Sequence, residues 1–250
     1  MLELNKLYLM DCMEGMKQFP DKYFELAIVD PPYGSAGADE WDDKERGRFG
    51  GRFGKYKIER TGGAWAEKYG KKIKTWDVAP SAEYFNELFR VSKNQIIWGG
   101  NYFNEFLPSN RNFIVWRKLT ISEKFTMAMA EYAWTSISGN AKVFECAPQG
   151  TATEQRFHPT QKPVALYEWL LRNYAKPGDK ILDTHVGSAS SLIACYRAGH
   201  DYIGFEIDED YHRMATERLN GEKMQMRMFE PEQTAPKQID IMADGLPPEI

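Results

Sequence analysis

The stretch KILDTHVGSASSLIACYRAGHDYIGFEI, residues 180–207, decides the fold. Ile181 and Leu182 run into Asp183, and a turn of small residues follows. SASSLIACYRAG then reads as a helix stopped by Gly199, and DYIGFEI as a second apolar strand ending on Glu206. Strand, helix and strand in so short a span form the unit of a parallel sheet, because a parallel neighbour needs a crossover and a helix supplies it. Upstream, PVALYEWLLRNYAKPGD places Leu166, Trp169, Leu170 and Tyr174 on one helical face, with Pro177-Gly178 as the stop. Downstream, DEDYHRMATERLNG reads as a helix ending near Gly221.

The same alternation opens the chain. KLYLM (6–10) and FELAIV (24–29) read as strands, with a short helix between them capped by Asp11. SAEYFNELFRVSKN spaces Tyr84, Phe85, Leu88 and Phe89 as a helix behind a Ser81 cap, and QIIWGG and FIVW (113–116) read as further strands. EYAWTSI and AKVFE, on either side of Ser138-Gly139-Asn140, are expected to pair as a hairpin. The fold expected is a doubly wound, Rossmann-like α/β sheet, mostly parallel. One domain is expected over residues 1–221, interrupted by a polar, Gly-rich segment at about 35–78, with a tail over 222–250.

The chain has 250 residues, 42% of them hydrophobic and 27% charged, an ordinary globular balance that excludes a collagen-like or wholly disordered protein. No apolar run approaches the roughly 20 residues of a membrane helix, and MLELNKLYLMDCMEG lacks the features of a secretory signal. A soluble, cytoplasmic protein is expected. Cys12, Cys146 and Cys195 are widely spaced and form no CxxC, so they read as reduced thiols, and no metal is expected. The net charge of -4 conceals an uneven distribution: residues 44–74 carry eleven basic and three acidic side chains, a local excess of +8 that leaves -12 for the remainder. A basic patch of that size binds a polyanion even on an acidic protein.

Asp11, Asp30, Asp183 and Glu206 all fall at strand ends, where ligands of a doubly wound sheet gather. Any one of them alone is most simply a helix cap. Taken together, the small-residue turn at Gly187-Ser188 and an acid at the end of the next strand suit an adenosine-containing ligand whose ribose hydroxyls bond the acid. No GxxxxGK[ST] occurs, which argues against a P-loop. In Asp30-Pro31-Pro32-Tyr33 the two prolines remove two N–H groups, so a carboxylate stands beside backbone that offers only carbonyls. Such an acceptor-only site grips an amino group by its hydrogens and stabilises charge developing on its nitrogen, and Tyr33 supplies a ring for stacking on a base.

These residues give the chain a family resemblance. DPPY at 30–33, IIWGGNYF, and HPTQKPVALYEWLLRNYAKPGDKILD resemble the amino-group DNA methyltransferases that use S-adenosylmethionine to modify adenine N6 or cytosine N4. The motif order, catalytic tetrapeptide first and cofactor loop last, is that of their permuted beta class. The resemblance implies a seven-stranded sheet with one antiparallel strand. It also implies that Asp30, Pro31, Pro32 and Tyr33 hold the target amine and base. For the cofactor, it implies that Asp183, Gly187 and Ser188 line the methionine part, that Thr160 and Lys162 lie near its carboxylate, and that His158 is among the residues that bind it. Glu206 would bind the ribose, and Asp11 would sit near the adenine. The family's loop usually reads Asp-Pro-Phe-x-Gly-Ser-Gly-Thr, and this one departs from it at Thr184, His185, Ala189 and Ser190.

The basic segment, with its tandem GRFG at 47–54, is the expected contact with double-stranded DNA: Arg46, Arg48, Arg52, Lys55 and Lys57 for phosphates, Phe49 and Phe53 for stacking. Adenine N6 is the expected target, since in the resembling family Asp in the tetrapeptide accompanies adenine more often and Ser accompanies cytosine. Cytosine N4, a catalytically silent DNA-binding relative and a protein-amide methyltransferase remain open as alternatives. A monomer and a homodimer are both compatible with the sequence.

Overall fold

Among the described residues the apolar runs assemble into one sheet of eight strands. These are β1 (Lys6–Leu9), β2 (Phe24–Val29), β3 (Ser92–Trp98), β4 (Phe113–Lys118), β5 (Ala130–Thr135), β6 (Lys142–Cys146), β7 (Lys180–Asp183) and β8 (Asp201–Glu206). The helices that cover it are α1 (Cys12–Met16), α2 (Ala82–Val91), α3 (Val164–Tyr174), α4 (Ser190–Ala198) and α5 (Glu209–Phe229). The structure is a computed structural model that describes residues 1–34, 78–123, 128–148, 157–158 and 160–229. The expected DNA-contacting residues Arg46, Arg48, Phe49, Arg52, Phe53, Lys55 and Lys57 lie outside the described residues.

Strand order is β1-β8-β7-β2-β3-β5-β4-β6. Among these strands β5 alone runs against its neighbours, antiparallel to both β3 and β4, while β6 runs parallel to β4. The sheet thus has one antiparallel strand, as expected, and eight strands where seven were expected. The expected hairpin between EYAWTSI and AKVFE does not form. β5 pairs with β4, Phe113 opposite Trp134 and Val115 opposite Tyr132, and β6 takes the far side of β4. Alternating apolar residues specify which face of a strand is buried, and leave its neighbour unspecified.

Successive residues of the central strands feed two cores. Leu26 and Ile28 of β2, with Ile96 and Trp98 of β3, pack against Leu166 and Leu170 of α3 and Leu192 and Ile193 of α4. Ala27, Val29 and Ile97 point the other way, onto Tyr84, Phe85 and Leu88 of α2 and Met16 of α1. Helices on both faces leave the strand ends as the accessible edge. The last helix does not stop at Gly221 as expected: it continues to Phe229, and a Cβ at Gly221 would meet open space. One exposed helical glycine costs only about 1 kcal/mol, so residues 222–229 are helix rather than tail.

The chain leaves β2 toward β3 on one side and β7 toward β8 on the other, while β2 and β7 are themselves paired. The switch point therefore falls between the strands that end at Val29 and at Asp183, which opens a crevice there.

Candidate active site

Asp30 leaves β2 at this crevice and is held by two donors. Its Oδ1 accepts a hydrogen bond from the Tyr33 hydroxyl at 2.7 Å, and its Oδ2 meets the Lys162 ammonium. The same ammonium lies 3.1 Å from Glu131 Oε2, and Glu131 Oε1 pairs with Lys118 Nζ at 2.5 Å. Burial works against the charge of Lys162, but Asp30 and Glu131 outweigh it and hold its pKa above the usual lysine value. Burial, with the charge of Asp30 next, pushes the Tyr33 hydroxyl well above the usual tyrosine value, so it stays a donor.

The ring of Tyr33 is packed from two directions. Gly99, with φ +67, lies so close that a Cβ there would come 2.2 Å from Tyr33 Cε1. That contact requires glycine on steric grounds as well as for its left-handed backbone. Tyr102 stacks on Tyr33 with ring centroids 4.7 Å apart and planes at 17°, and is itself 59% exposed.

The far side of the crevice is built by the turn after β7. Asp183 is buried, accepting from the Ser191 hydroxyl and, at 3.0 Å, from the His185 amide. Desolvation pushes its pKa up to about 7, against the pull of those two hydrogen bonds. The His185 ring lies against Tyr84, and its Nδ1 is 2.9 Å from Thr184 Oγ1. Burial pushes its pKa down to about 4, so at neutral pH the ring is uncharged, as an apolar residue there would be. Gly187 has φ +54, and a Cβ on it would come 3.2 Å from the His158 ring. Glu206 accepts from the Gly187 amide at 2.8 Å and the Asp208 amide at 2.9 Å, and burial raises its pKa. Arg218 of α5 donates to Ser188 O at 2.7 Å and Ser190 Oγ at 2.9 Å, fixing the turn from behind.

One cleft, partly open to solvent, joins the two sides. It is lined by Asp30, Pro31, Pro32 and Tyr33 on one side and by Gly187, Ser188 and Glu206 on the other, with His158, Thr160 and Lys162 between. The residues singled out from sequence are thus largely brought together. Two are not in the lining. Asp183 lies buried below it, and Asp11 caps α1 by accepting from the Met13 amide at 2.7 Å. Lys162, expected beside a cofactor carboxylate, has its ammonium on Asp30 and Glu131.

The lining also holds Gln161, Tyr167, Val186, Ile207 and Tyr211, which sequence reading did not select. Gln161 stands inside the HPTQKP motif, which was a usable signal. Tyr167 reads as one more apolar residue of α3, and nothing marked Tyr211, whose ring packs on His158 at 4.3 Å between centroids. Among the described residues no group of His, Cys, Asp or Glu is placed to hold a metal ion, and no helix is long and apolar enough to cross a membrane.

A family model described as DNA methylase, N6_N4_Mtase, matches residues 67–217, more than half of the chain. The type II methyltransferase M.HpaI of Haemophilus parainfluenzae is 43% identical over 65 residues, 26% of this chain and 21% of the relative. The type II methyltransferase M2.DpnII of Streptococcus pneumoniae is 40% identical over 65 residues, 26% of this chain and 24% of the relative. The matched stretch therefore spans under a quarter of either relative's length. Among solved structures, the M1.HpyAVI-SAM complex superposes with a TM-score of 0.53 at 19% identity, covering 86% of this chain and 98% of that one, which is likeness of fold.

Proposed function

The chain belongs to the N6_N4_Mtase family of DNA methylases, and from that premise we propose that it transfers a methyl group from S-adenosylmethionine to a base amine of double-stranded DNA, adenine N6 of an extruded base being the target. The observation that carries this reading is the single cleft in which the acceptor-only Asp30-Pro31-Pro32 corner faces the Gly187–Glu206 turn.

The residues fit the cofactor. Gly187 leaves its backbone open to close approach, and Glu206, although it already accepts from backbone amides, lines the cleft with acceptor capacity left for a ribose hydroxyl. Asp183 is a buried carboxyl with no basic partner among the described residues, which suits a cationic ligand above it. When bound, S-adenosylmethionine supplies an already activated methyl group. The protein's part is placement of the amine and stabilisation of the charge its nitrogen acquires.

A carboxylate has about four lone-pair positions, and Tyr33 and Lys162 take one on each oxygen of Asp30. The remaining positions, with the Pro31 carbonyl, accept the hydrogens of the target amine. Asp rather than Ser at position 30 favours adenine by the habit of the family, although the acceptors suit cytosine N4 equally. The basic segment, with Arg46, Arg48, Arg52, Lys55, Lys57, Phe49 and Phe53, is proposed to hold the DNA.

The test is transfer of labelled methyl from S-adenosylmethionine to unmethylated DNA, with the product nucleosides separated. Label in N6-methyladenine is expected; label in N4-methylcytosine would reassign the target, and no label on varied DNA would overturn the reading. Asp30→Ala is expected to lower turnover by roughly a hundredfold or more while cofactor affinity, measured by calorimetry, is kept. Tyr102 stacks on Tyr33, and a base taking that face has to displace it, so Tyr102→Ala is expected to lower KM for DNA by about twofold to tenfold, the worth of one aromatic pair. A raised KM would instead make Tyr102 part of the base's own stack.

A further inference from the structure

Behind Asp30 lies a row of charges that the transfer described above does not use. It runs Asp30, Lys162, Glu131, Lys118, alternating in sign, with Lys162 only 3% and Lys118 only 7% exposed. Each ammonium also rests on an indole, Lys162 at 5.3 Å from the Trp98 ring centroid and Lys118 at 5.1 Å from that of Trp116, and the two indoles meet edge to face. The four residues come from the end of β2, the segment before α3, β5 and the end of β4.

Stability gives no reason for such a row. Taking two ammonium groups out of water costs about what their pairing returns, and apolar side chains of similar volume commonly do as well or better. The row ends, however, on the oxygen that is to receive the target amine. If Lys162 faced Asp30 alone, its whole charge would fall on that carboxylate, weaken it as an acceptor and repel the cation forming on the nitrogen. Glu131 divides the ammonium between two carboxylates, so less of its charge falls on Asp30 Oδ2, and with Lys118 the row of four is neutral. Lys118 in turn holds Glu131 at its place on β5. Burial disfavours the charge of Glu131, yet Lys162 and Lys118 together bring its pKa below the usual value.

We propose that Glu131 is a positioning residue for the transfer, acting through Lys162 to orient Asp30 Oδ2 and to offset the ammonium charge beside it, with Lys118 as its anchor. This rests on Asp30 being the acceptor of the amine, the reading given above. Glu131 touches neither base nor cofactor in this role.

The test compares Glu131→Gln and Glu131→Asp with the wild type. Glu131→Gln is expected to lower kcat roughly tenfold to a hundredfold with KM for DNA nearly unchanged, the scale of a misplaced reacting group. Both limbs of its kcat–pH profile are expected to move to lower pH, because one negative charge has gone from beside the titrating groups. The groups that face this point are Asp30 and Tyr33 beyond β2, Lys118 of β4, Tyr167 of α3 and Lys162 itself. Glu131→Asp keeps the charge and is expected to keep the limbs in place even where kcat falls. A merely structural role would lower activity in both variants without moving the limbs, and that result, or a wild-type kcat and profile in Glu131→Gln, overturns the proposal.

A second readout needs no activity: carbon-13 NMR titration of the Lys162 side chain in the purified protein. Its midpoint is expected to fall in Glu131→Gln, and an unmoved midpoint overturns the proposal. Should the wild type transfer no methyl to any DNA, it is the proposed function that fails, while the lysine titration still decides whether Glu131 governs Lys162.

Discussion

Asp30 and Asp183 stand at the ends of paired strands, β2 and β7, and the protein treats them in opposite ways. Asp30 lies against a buried ammonium that is itself balanced by Glu131. Among the described residues Asp183 is offered only neutral donors, the Ser191 hydroxyl and the His185 amide, and burial drives it toward protonation near neutrality. The difference is made by one element, the segment before α3, which delivers Lys162 to one carboxyl and nothing to the other. Two identical side chains a strand apart thereby become a permanently matched acceptor and a carboxyl waiting for a charge. An acid at a strand end takes its chemistry from what a distant part of the chain brings to it.

The strongest way to break this contrast is to remove the lysine. Lys162→Met leaves Asp30 and Glu131 without the cation between them and is expected to cost about 3–5 kcal/mol of stability, measured by denaturant unfolding. A loss under about 1 kcal/mol would mean that water replaces the ammonium and that the pairing carries no energetic weight.

A smaller effect sharpens the other half. With a pKa raised from 3.8 to about 7, Asp183 keeps a proton in the folded protein that the unfolded chain has lost between those values. Its contribution to stability is therefore complete below about pH 3.8 and is lost as pH rises to 7. A cation bound above it reverses that penalty, so affinity for S-adenosylmethionine is expected to rise severalfold from pH 5.5 to 7, and less than tenfold per unit. Calorimetry across that range checks it, with Asp183→Asn expected to give a flat profile; equal slopes in the two proteins would remove Asp183 from the linkage.

The smallest effect concerns the same turn. Ala189 has φ +64, a left-handed position that costs an L-residue about 1–2 kcal/mol. Ala189→Gly relieves that strain but removes a buried methyl worth about 0.8 kcal/mol. It also loosens the unfolded chain by roughly 0.4–1 kcal/mol. These offset, so unfolding free energy is expected to stay within about 0.8 kcal/mol of the wild type, and a larger gain would show that the turn is more strained than its dihedral implies.

What was legible in the sequence follows from where its information is local. Val29-Asp30, Leu182-Asp183 and Phe205-Glu206 each announce an apolar strand that ends on an acid, and in a doubly wound sheet such ends converge, so the two halves of the cleft were readable. Glu131 and Lys118 were not, because each looks like an ordinary polar residue on a strand, and their meeting with Lys162 depends on which strands are neighbours. The missed hairpin has the same origin: Tyr132 and Trp134 mark a buried face and say nothing about whether β4 or β6 lies beside it. The run of α5 past Gly221 shows a helix outliving a weak local stop signal.

The reversed direction of β5 has one more consequence. Parallel strands reach the active edge only at their last residues, where the chain is about to leave the sheet for a loop. β5 arrives there with its first residues, so Glu131 sits opposite Trp116 as a full member of the ladder, bonded into the sheet rather than carried on a bend. Its position is therefore registered like a tooth on a rack. It can be moved only by slipping a whole strand, and a slip by one residue would turn its side chain to the opposite face.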